Sequence, residues 1–355
     1  MKHVHEIIGS CEENLFDAAL KMVTSGQPLR EAIDMIISAQ NGALICIGDV
    51  QNILMLGNGG FRIDAPVSPQ RLFELSKMDG SIVLSGDLKQ IICANFHLNP
   101  DPDIITAETG MRHRSAARTS AQTDAIVIAI SKRRNQTTLY RQGEGVTLDS
   151  DEILLQKSNQ GLLALQHLRN NLERASIRLS FLEMDDISTV ADVAELIIRY
   201  VRLINLAVET ERFIDFLGDN SGLLRNQLDE IVSGLVDSFT LVIRDYAASP
   251  DLQEARKTIN ALLNLFPQPT NKDVLFLLGY SQELADEDHW SPRGFRAISR
   301  ISMLDEEAVA RIIDEYGSLS AIVSDSKEGF DRMGELGIDN VRAIAKSFMQ
   351  LRSTI

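Results

Sequence analysis

The spacing of apolar positions changes character twice along the chain, and each change marks a boundary. Over the first ~145 residues, helix-like and strand-like patterns alternate. Residues 13–24 and 28–40 predict helices, the second carrying Leu29, Ile33, Ile36 and Ile37 on one face. The apolar run 43–48, bounded by Gly42 and Gly48, predicts a buried strand. Residues 67–77 predict a further helix, and 81–85, 91–98 and 125–131 predict strands. A last strand over 137–141 ends at a Gly143/Gly145 turn, and a polar helix over 108–122 is inserted between two of the strands. The pattern is that of an α/β domain, a mixed sheet flanked by helices, over residues 1–147.

Past Asp149 the strand signals stop. Leu165, Leu168, Leu172, Ala175 and Leu179 recur at three- and four-residue steps. Val190, Ala194, Ile197, Val201, Ile204 and Val208 continue that spacing behind a Thr189…Asp192 capping pattern, and Leu224 through Tyr246 form a third stripe. Three long amphipathic helices are expected, an all-α spine over 148–286. A composition break at 285–292 precedes short helices joined by tight turns, with Asp305 as an N-cap, so 287–355 is expected to be a small all-α domain. Trp290 reads as a packing residue between domains.

Composition removes several classes of function. No apolar run reaches the ~18 residues that a membrane-spanning helix needs. The three cysteines, Cys11, Cys46 and Cys93, lack metal-ligand spacing, and Cys46 and Cys93 lie in apolar runs, which excludes a disulfide scaffold or zinc ribbon. Together with the lack of a signal-peptide pattern, this points to a reducing cytoplasm. With 35 Lys and Arg against 50 Asp and Glu, the net charge is −15, which opposes broad affinity for nucleic acid. The charge is unevenly spread: residues 107–141 carry seven basic and two acidic side chains, a +5 island in a chain that is otherwise −20. Such an island suits an anion.

Three segments could carry chemistry. Asp79-Gly80-Ser81 reads either as a turn or as a carboxylate at a strand entrance able to hold a divalent ion, with Gly80 permitting close approach of a ligand. Arg112-His113-Arg114 near a helix start reads either as a solvated basic face or as a phosphate clamp. Arginine there is disfavoured by the helix dipole unless an anion compensates. Ser131-Lys132-Arg133-Arg134 follows a buried strand and reads as a solvated loop or part of the same anion site; His97 reads as structural. No P-loop is present, and Gly57-Asn58-Gly59-Gly60 reads as a turn because it lacks a dinucleotide-binding frame.

Taken together, Asp79-Gly80-Ser81 and Arg112-His113-Arg114, 33 positions apart, resemble the Asp-Gly-Ala and Arg-His-Arg motifs of the DisA family of bacterial diadenylate cyclases. Asn95 to Pro102 and Thr109-Gly110 lie between the two in the family's order, and the helical middle and Ser291 to Arg296 extend the resemblance over essentially the whole chain. The resemblance implies synthesis of cyclic di-AMP from two ATP, release of two pyrophosphates, and dependence on Mg²⁺ or Mn²⁺. It implies that Asp79 binds metal and aids the attacking 3′-hydroxyl. Arg112, His113 and Arg114 would be catalytic, and Gly80, Ser81, Leu98, Met111, Ser115 and Ser131 would complete the ATP site. It further implies an active site between two facing protomers, an octamer, and a helix-hairpin-helix tail that binds branched DNA such as a Holliday junction.

The sequence departs from the family at Ser81, where the motif has alanine, and at Met111, where threonine is usual. In the tail, Gly334, Gly337 and Arg342 match the DNA-binding hairpin, but Glu335 replaces its first glycine and residues 296–355 carry ten acids against eight bases. The alternative to an active cyclase is a catalytically impaired nucleotide-binding sensor or scaffold.

Overall fold

The structure, a computed structural model, describes residues 16–134, 136–265, 267–280, 284–301 and 304–328. The predicted hairpin Gly334, Gly337 and Arg342 lies outside these residues, as does Cys11. Two compact units are present, one from the described part of 12–159 with 211–225, the other from 160–210 with the described part of 226–355.

The first unit opens with α1 (Asp17–Met22) and α2 (Pro28–Ser38). These are followed by β1 (Ala43–Ile47), α3 (Val50–Met55), β2 (Gly57–Asn58), β3 (Phe61–Pro66) and α4 (Pro69–Leu75). Then come β4 (Ser81–Leu84), β5 (Gln90–Leu98), α5 (Met111–Gln122), β6 (Ile126–Ser131), β7 (Gln136–Arg141) and β8 (Glu144–Leu148). Strand order is β2-β5-β4-β1-β6-β7-β8, with β3 also paired to β5. Only β1 and β4 run parallel; the other named pairs are antiparallel.

Side-chain alternation loads both faces of this mixed sheet. Ile45, Ile47, Ile82, Leu84, Ile91, Ile128 and Ile130 pack with Leu29, Ile33, Ile36 and Leu72 of the helices on one side. Leu44, Cys46, Val83, Cys93, Phe96, Val127 and Ala129 pack with Ile53, Ala116 and Ala117 on the other. Burial pushes the Cys46 thiol up to about 12, so it behaves as a small hydrophobe.

Four elements differ from the sequence expectation. The strand β3 is an edge whose residues are mostly exposed, so it shows no apolar signal. The short helix α3 starts behind Asp49, which sits at φ 41°. The Gly143 turn does not end the sheet: it is the corner of a β7–β8 hairpin. The expected Gly57–Gly60 turn begins with a two-residue strand, because Gly57 and Asn58 pair with Leu98 and His97.

The helical part comprises α6 (Asp151–Met184), α7 (Val190–Phe216), α8 (Gly222–Val232), α9 (Leu235–Tyr246), α10 (Leu252–Leu263), α11 (Asn271–Leu277), α12 (Phe295–Ile298), α13 (Glu306–Tyr316) and α14 (Leu319–Glu328). The third predicted stripe is two helices, divided at Gly234, whose φ of 63° takes the chain out of helix. Asp305 caps α13, as its sequence position predicts.

In the second unit, residues 290–296 are fastened to the helices. Trp290 packs edge-on against Tyr246 and Tyr280, with centroids 5.2 and 5.1 Å away. Asp245 accepts hydrogen bonds from the amides of Gly294 (2.7 Å), Phe295 (2.6 Å) and Arg296 (3.0 Å), which caps α12. The Arg296 guanidinium pairs with the Glu183 carboxylate, each side chain 4% exposed, and Tyr246 Oη donates to Glu183 Oε1 at 2.6 Å. Removing one member strands a buried charge, a change that costs about 3–5 kcal/mol. Arg296→Met is therefore expected to lower the urea midpoint of unfolding sharply, and adding Glu183→Gln is expected to recover part of that loss.

Candidate functional site

The site begins with a glycine. Gly80 lies at φ 84°, and a Cβ there would stand 2.8 Å from the carbonyl carbon of Asn95 and 2.9 Å from the carbonyl oxygen of Phe96. The β4–β5 pairing slips between Ser81 and Val83, and Asn95 itself adopts φ 56°, so β5 bulges where the turn meets it. The Asn95 side-chain amide donates to the Asp79 main-chain oxygen at 3.0 Å and fastens the turn to the bulge. This fixes the exposed Asp79 at a cavity of about 640 Å³. Its carboxylate has no hydrogen-bond or ion-pair partner among the described residues.

The opposite wall is the start of α5. Gly110 is its N-cap and offers no side-chain acceptor, so the first-turn amides keep their affinity for an anion. Gly110, Met111, Arg112, His113 and Ser115 all line the cavity. Arg112 lies over Gly42: a Cβ at position 42 would come within 2.5 Å of Arg112 Nη1 and 3.0 Å of the Ile130 carbonyl oxygen. His113 is 7% exposed, its ring edge-on to Tyr140 at 6.2 Å. Burial holds the imidazole below its usual range against the pull of Glu108, with Arg134 and Arg112 adding to the depression, which favours the neutral ring.

Of the residues singled out in the sequence, Asp79, Gly80, Leu98, Met111, Arg112, His113, Ser115 and Ser131 converge on this one cavity. Two do not. Ser81 is fully buried, is absent from the lining, and its hydroxyl donates to the Phe96 carbonyl at 2.9 Å. Arg114 is absent from the lining; its Nη2 donates to the Thr109 carbonyl at 3.0 Å.

The basic island divides in the same way. Arg112, Lys132 and Arg133 line the cavity, whereas Arg118 ties down the 99–110 loop through the carbonyls of Ile104 (2.9 Å) and Pro102 (2.6 Å). His97, read from the sequence as structural, is exposed and lines the cavity. Phe96 and Asn99, from the Asn95–Pro102 stretch that carries the resemblance, also line it, as do Leu44 and Ile130, which carried no site signal of their own. No cluster of three His, Cys, Asp or Glu side chains suited to a metal occurs among the described residues. Nor is any helix among them long and apolar enough to cross a membrane.

Comparison with known proteins accounts for most of the chain. The family described as "DisA bacterial checkpoint controller nucleotide-binding" matches residues 30–145, and "DisA bacterial checkpoint controller linker region" matches residues 148–286. The chain is 38% identical over 342 residues to the DNA integrity scanning protein DisA of Carboxydothermus hydrogenoformans, covering 94% of this chain and 96% of that one. It is 38% identical to the protein of that name from Clostridium botulinum strain Langeland, over 95% of each chain. It is 36% identical to that of Symbiobacterium thermophilum, over 95% of this chain and 96% of the other.

The contact at Gly42 makes a prediction that needs no assumption about the reaction. Gly42→Ala is expected to displace the Arg112 guanidinium and weaken binding of inorganic tripolyphosphate, measured calorimetrically, by about ten-fold, or about 1.4 kcal/mol. The double variant with Arg112→Ala is expected to bind no more weakly than Arg112→Ala alone.

Proposed function

The chain belongs to the DisA family, and from that premise we propose that it is a diadenylate cyclase, a nucleotidyltransferase that joins two ATP molecules into cyclic di-AMP and releases two pyrophosphates. One observation carries the proposal: a lone carboxylate, Asp79, and an anion-binding helix start with Arg112 and His113 share one cavity of nucleotide size.

In each of two equivalent steps, the 3′-oxygen of one nucleotide bonds to the α-phosphorus of the other. The bond from that phosphorus to the bridging oxygen breaks, pyrophosphate leaves with the electron pair, and the hydroxyl proton passes by way of Asp79 to solvent. Phosphoryl transfer of this kind depends on alignment and on neutralising charge more than on covalent help from the protein. Arg112 and the first-turn amides of α5 hold the phosphates, and Lys132 and Arg133 add positive charge at the same wall. Gly80 and Leu98 bound the nucleotide pocket, with Ser115 and Ser131 offering hydroxyls to it.

A divalent ion suits this donor set. Asp79 supplies one carboxylate with no competing partner among the described residues, and Mg²⁺ or Mn²⁺ commonly completes its shell with phosphate oxygens and water. Bound there, the ion would neutralise charge on the phosphates.

One cavity accommodates one ATP, so both bonds require two copies of the domain face to face, with their cavities opposed. The exposed apolar side chains Met78, Ile105 and Met111 support an interface at this wall. Assembly to an octamer through the helical region and regulation by branched DNA through the tail complete the proposal. The second reading, a nucleotide sensor without turnover, draws on Arg114, which is engaged with Thr109, and on the missing hydroxyl at Met111.

Incubation of the purified full chain with ATP and Mn²⁺ or Mg²⁺ is expected to yield a cyclic dinucleotide of two AMP units, identified by chromatography and mass. Asp79→Asn is expected to cut that turnover by at least about 100-fold while leaving the oligomer unchanged in size. Full activity in that variant removes Asp79 from the mechanism. Four-way-junction DNA is expected to bind weakly and with a steep salt dependence; tight, salt-insensitive binding would contradict the acidic tail's expected behaviour.

A further inference from the structure

The cavity wall that carries Arg112 and His113 is held from behind by a strand that no motif includes. Tyr140 on β7 is 1% exposed, and its ring lies over Gly145 of β8, where a Cβ would fall 2.7 Å from Tyr140 Cε1. The two residues are cross-strand partners, so glycine at 145 leaves the space that the ring occupies. From there Tyr140 Oη reaches out of the sheet and donates to Glu108 Oε1 at 2.6 Å. Glu108 is in the loop that delivers the chain to α5, two residues before the Gly110 cap.

Around His113, Glu108 comes from this loop, Arg112 from α5 itself, Arg134 from the β6–β7 turn and Tyr140 from β7. Of these, Glu108 alone carries negative charge. A carboxylate that hydrogen-bonds to a phenol is restrained in where it points, and one released from the phenol is free to seek the imidazole. Burial and the neighbouring carboxylate push the Tyr140 hydroxyl far above its usual range, so it stays a donor at every pH at which the protein works.

We infer that Tyr140, through its hydrogen bond to Glu108, is a positioning residue for the Arg112–His113 wall of the site, restraining the one carboxylate that would otherwise pair with His113. The role in turnover rests on the cyclase reading above; the restraint on Glu108 does not.

The test uses the full chain in two variants, their combination, and two readouts. Tyr140→Phe keeps the ring over Gly145 and removes the hydroxyl that bonds Glu108 and lies beside the Thr138 side chain. Glu108→Gln keeps an acceptor for Tyr140 and removes only the charge. The His113 imidazole is followed by nitrogen-15 NMR across pH, its signal assigned by its loss in His113→Asn.

Tyr140→Phe is expected to move the His113 midpoint to higher pH by about 0.5–1, because a freed carboxylate favours the imidazolium, and Glu108→Gln is expected to move it lower. Cyclic dinucleotide formation by Tyr140→Phe is expected to fall on the order of ten-fold as the wall loosens. An unchanged midpoint in Tyr140→Phe overturns the inference, and so does a rise that persists when the two variants are combined, since looser packing alone would relieve the burial that depresses His113 whether or not position 108 carries a charge. Should the unaltered protein make no cyclic product, the cyclase reading fails while the paired titrations still decide the inference.

Discussion

The site depends on how closely two backbones can approach at residue 80. The turn before β4 can seat against the bulge in β5 only because residue 80 has no side chain, and Asn95 can bulge only because its own backbone takes up a left-handed conformation. The slip in β4–β5 register follows from that contact. It brings the end of β5, with His97 and Leu98, to the same mouth as Asp79. A regular ladder would place successive residues on alternate faces and carry the carboxylate away from the helix that answers it.

Opposite this seam, α5 packs onto the sheet through Ala116 and Ala117, small residues that allow a close approach. Its polar content is then divided by position. Arg118 and Gln122 hold the preceding loop, the latter by accepting from the Asp101 amide at 3.0 Å, while Arg112 projects over Gly42 into the cavity. Arginine serves both tasks because its planar fork can bridge two carbonyls as readily as two phosphate oxygens. A segment that looks uniformly cationic therefore contains a scaffold and a binding wall.

That division explains what could be read beforehand. Short apolar runs identified β1, β4 and β6, since strands buried on both faces leave a continuous signal. Arg112 and His113 were legible because arginine at a helix start opposes the helix dipole, whereas Asp79-Gly80 alone is an ordinary turn pair and gained meaning only from its spacing to Arg112-His113-Arg114. The edge strand β3 was not, because exposure erases the pattern. The break at Gly234 leaves no mark on the pattern because Leu228, Ile231, Leu235 and Phe239 keep a helical spacing straight through it. Arg114 sits beside residues that face the cavity while its own side chain turns to Thr109, a distinction that only the helix's rotation makes. The lining at Leu44, Phe96 and Ile130 has no chemistry to announce it.

The pairing of Glu183 with Arg296 spans 113 residues, and the cap that Asp245 provides to the Gly294 amide spans 49. A ribosome delivers the carboxylates first. Until residues 294–296 emerge, Glu183 and Asp245 have neither the guanidinium nor the amides that compensate their burial, and the helices carrying them are better served by remaining in water. The sheet, complete at Leu148, faces no such wait. Synthesis order thus delivers every strand of the sheet before the partners of Glu183 and Asp245, and translation that halts before residue 296 releases a polypeptide whose strands are all present and whose two buried carboxylates lack the groups that compensate them.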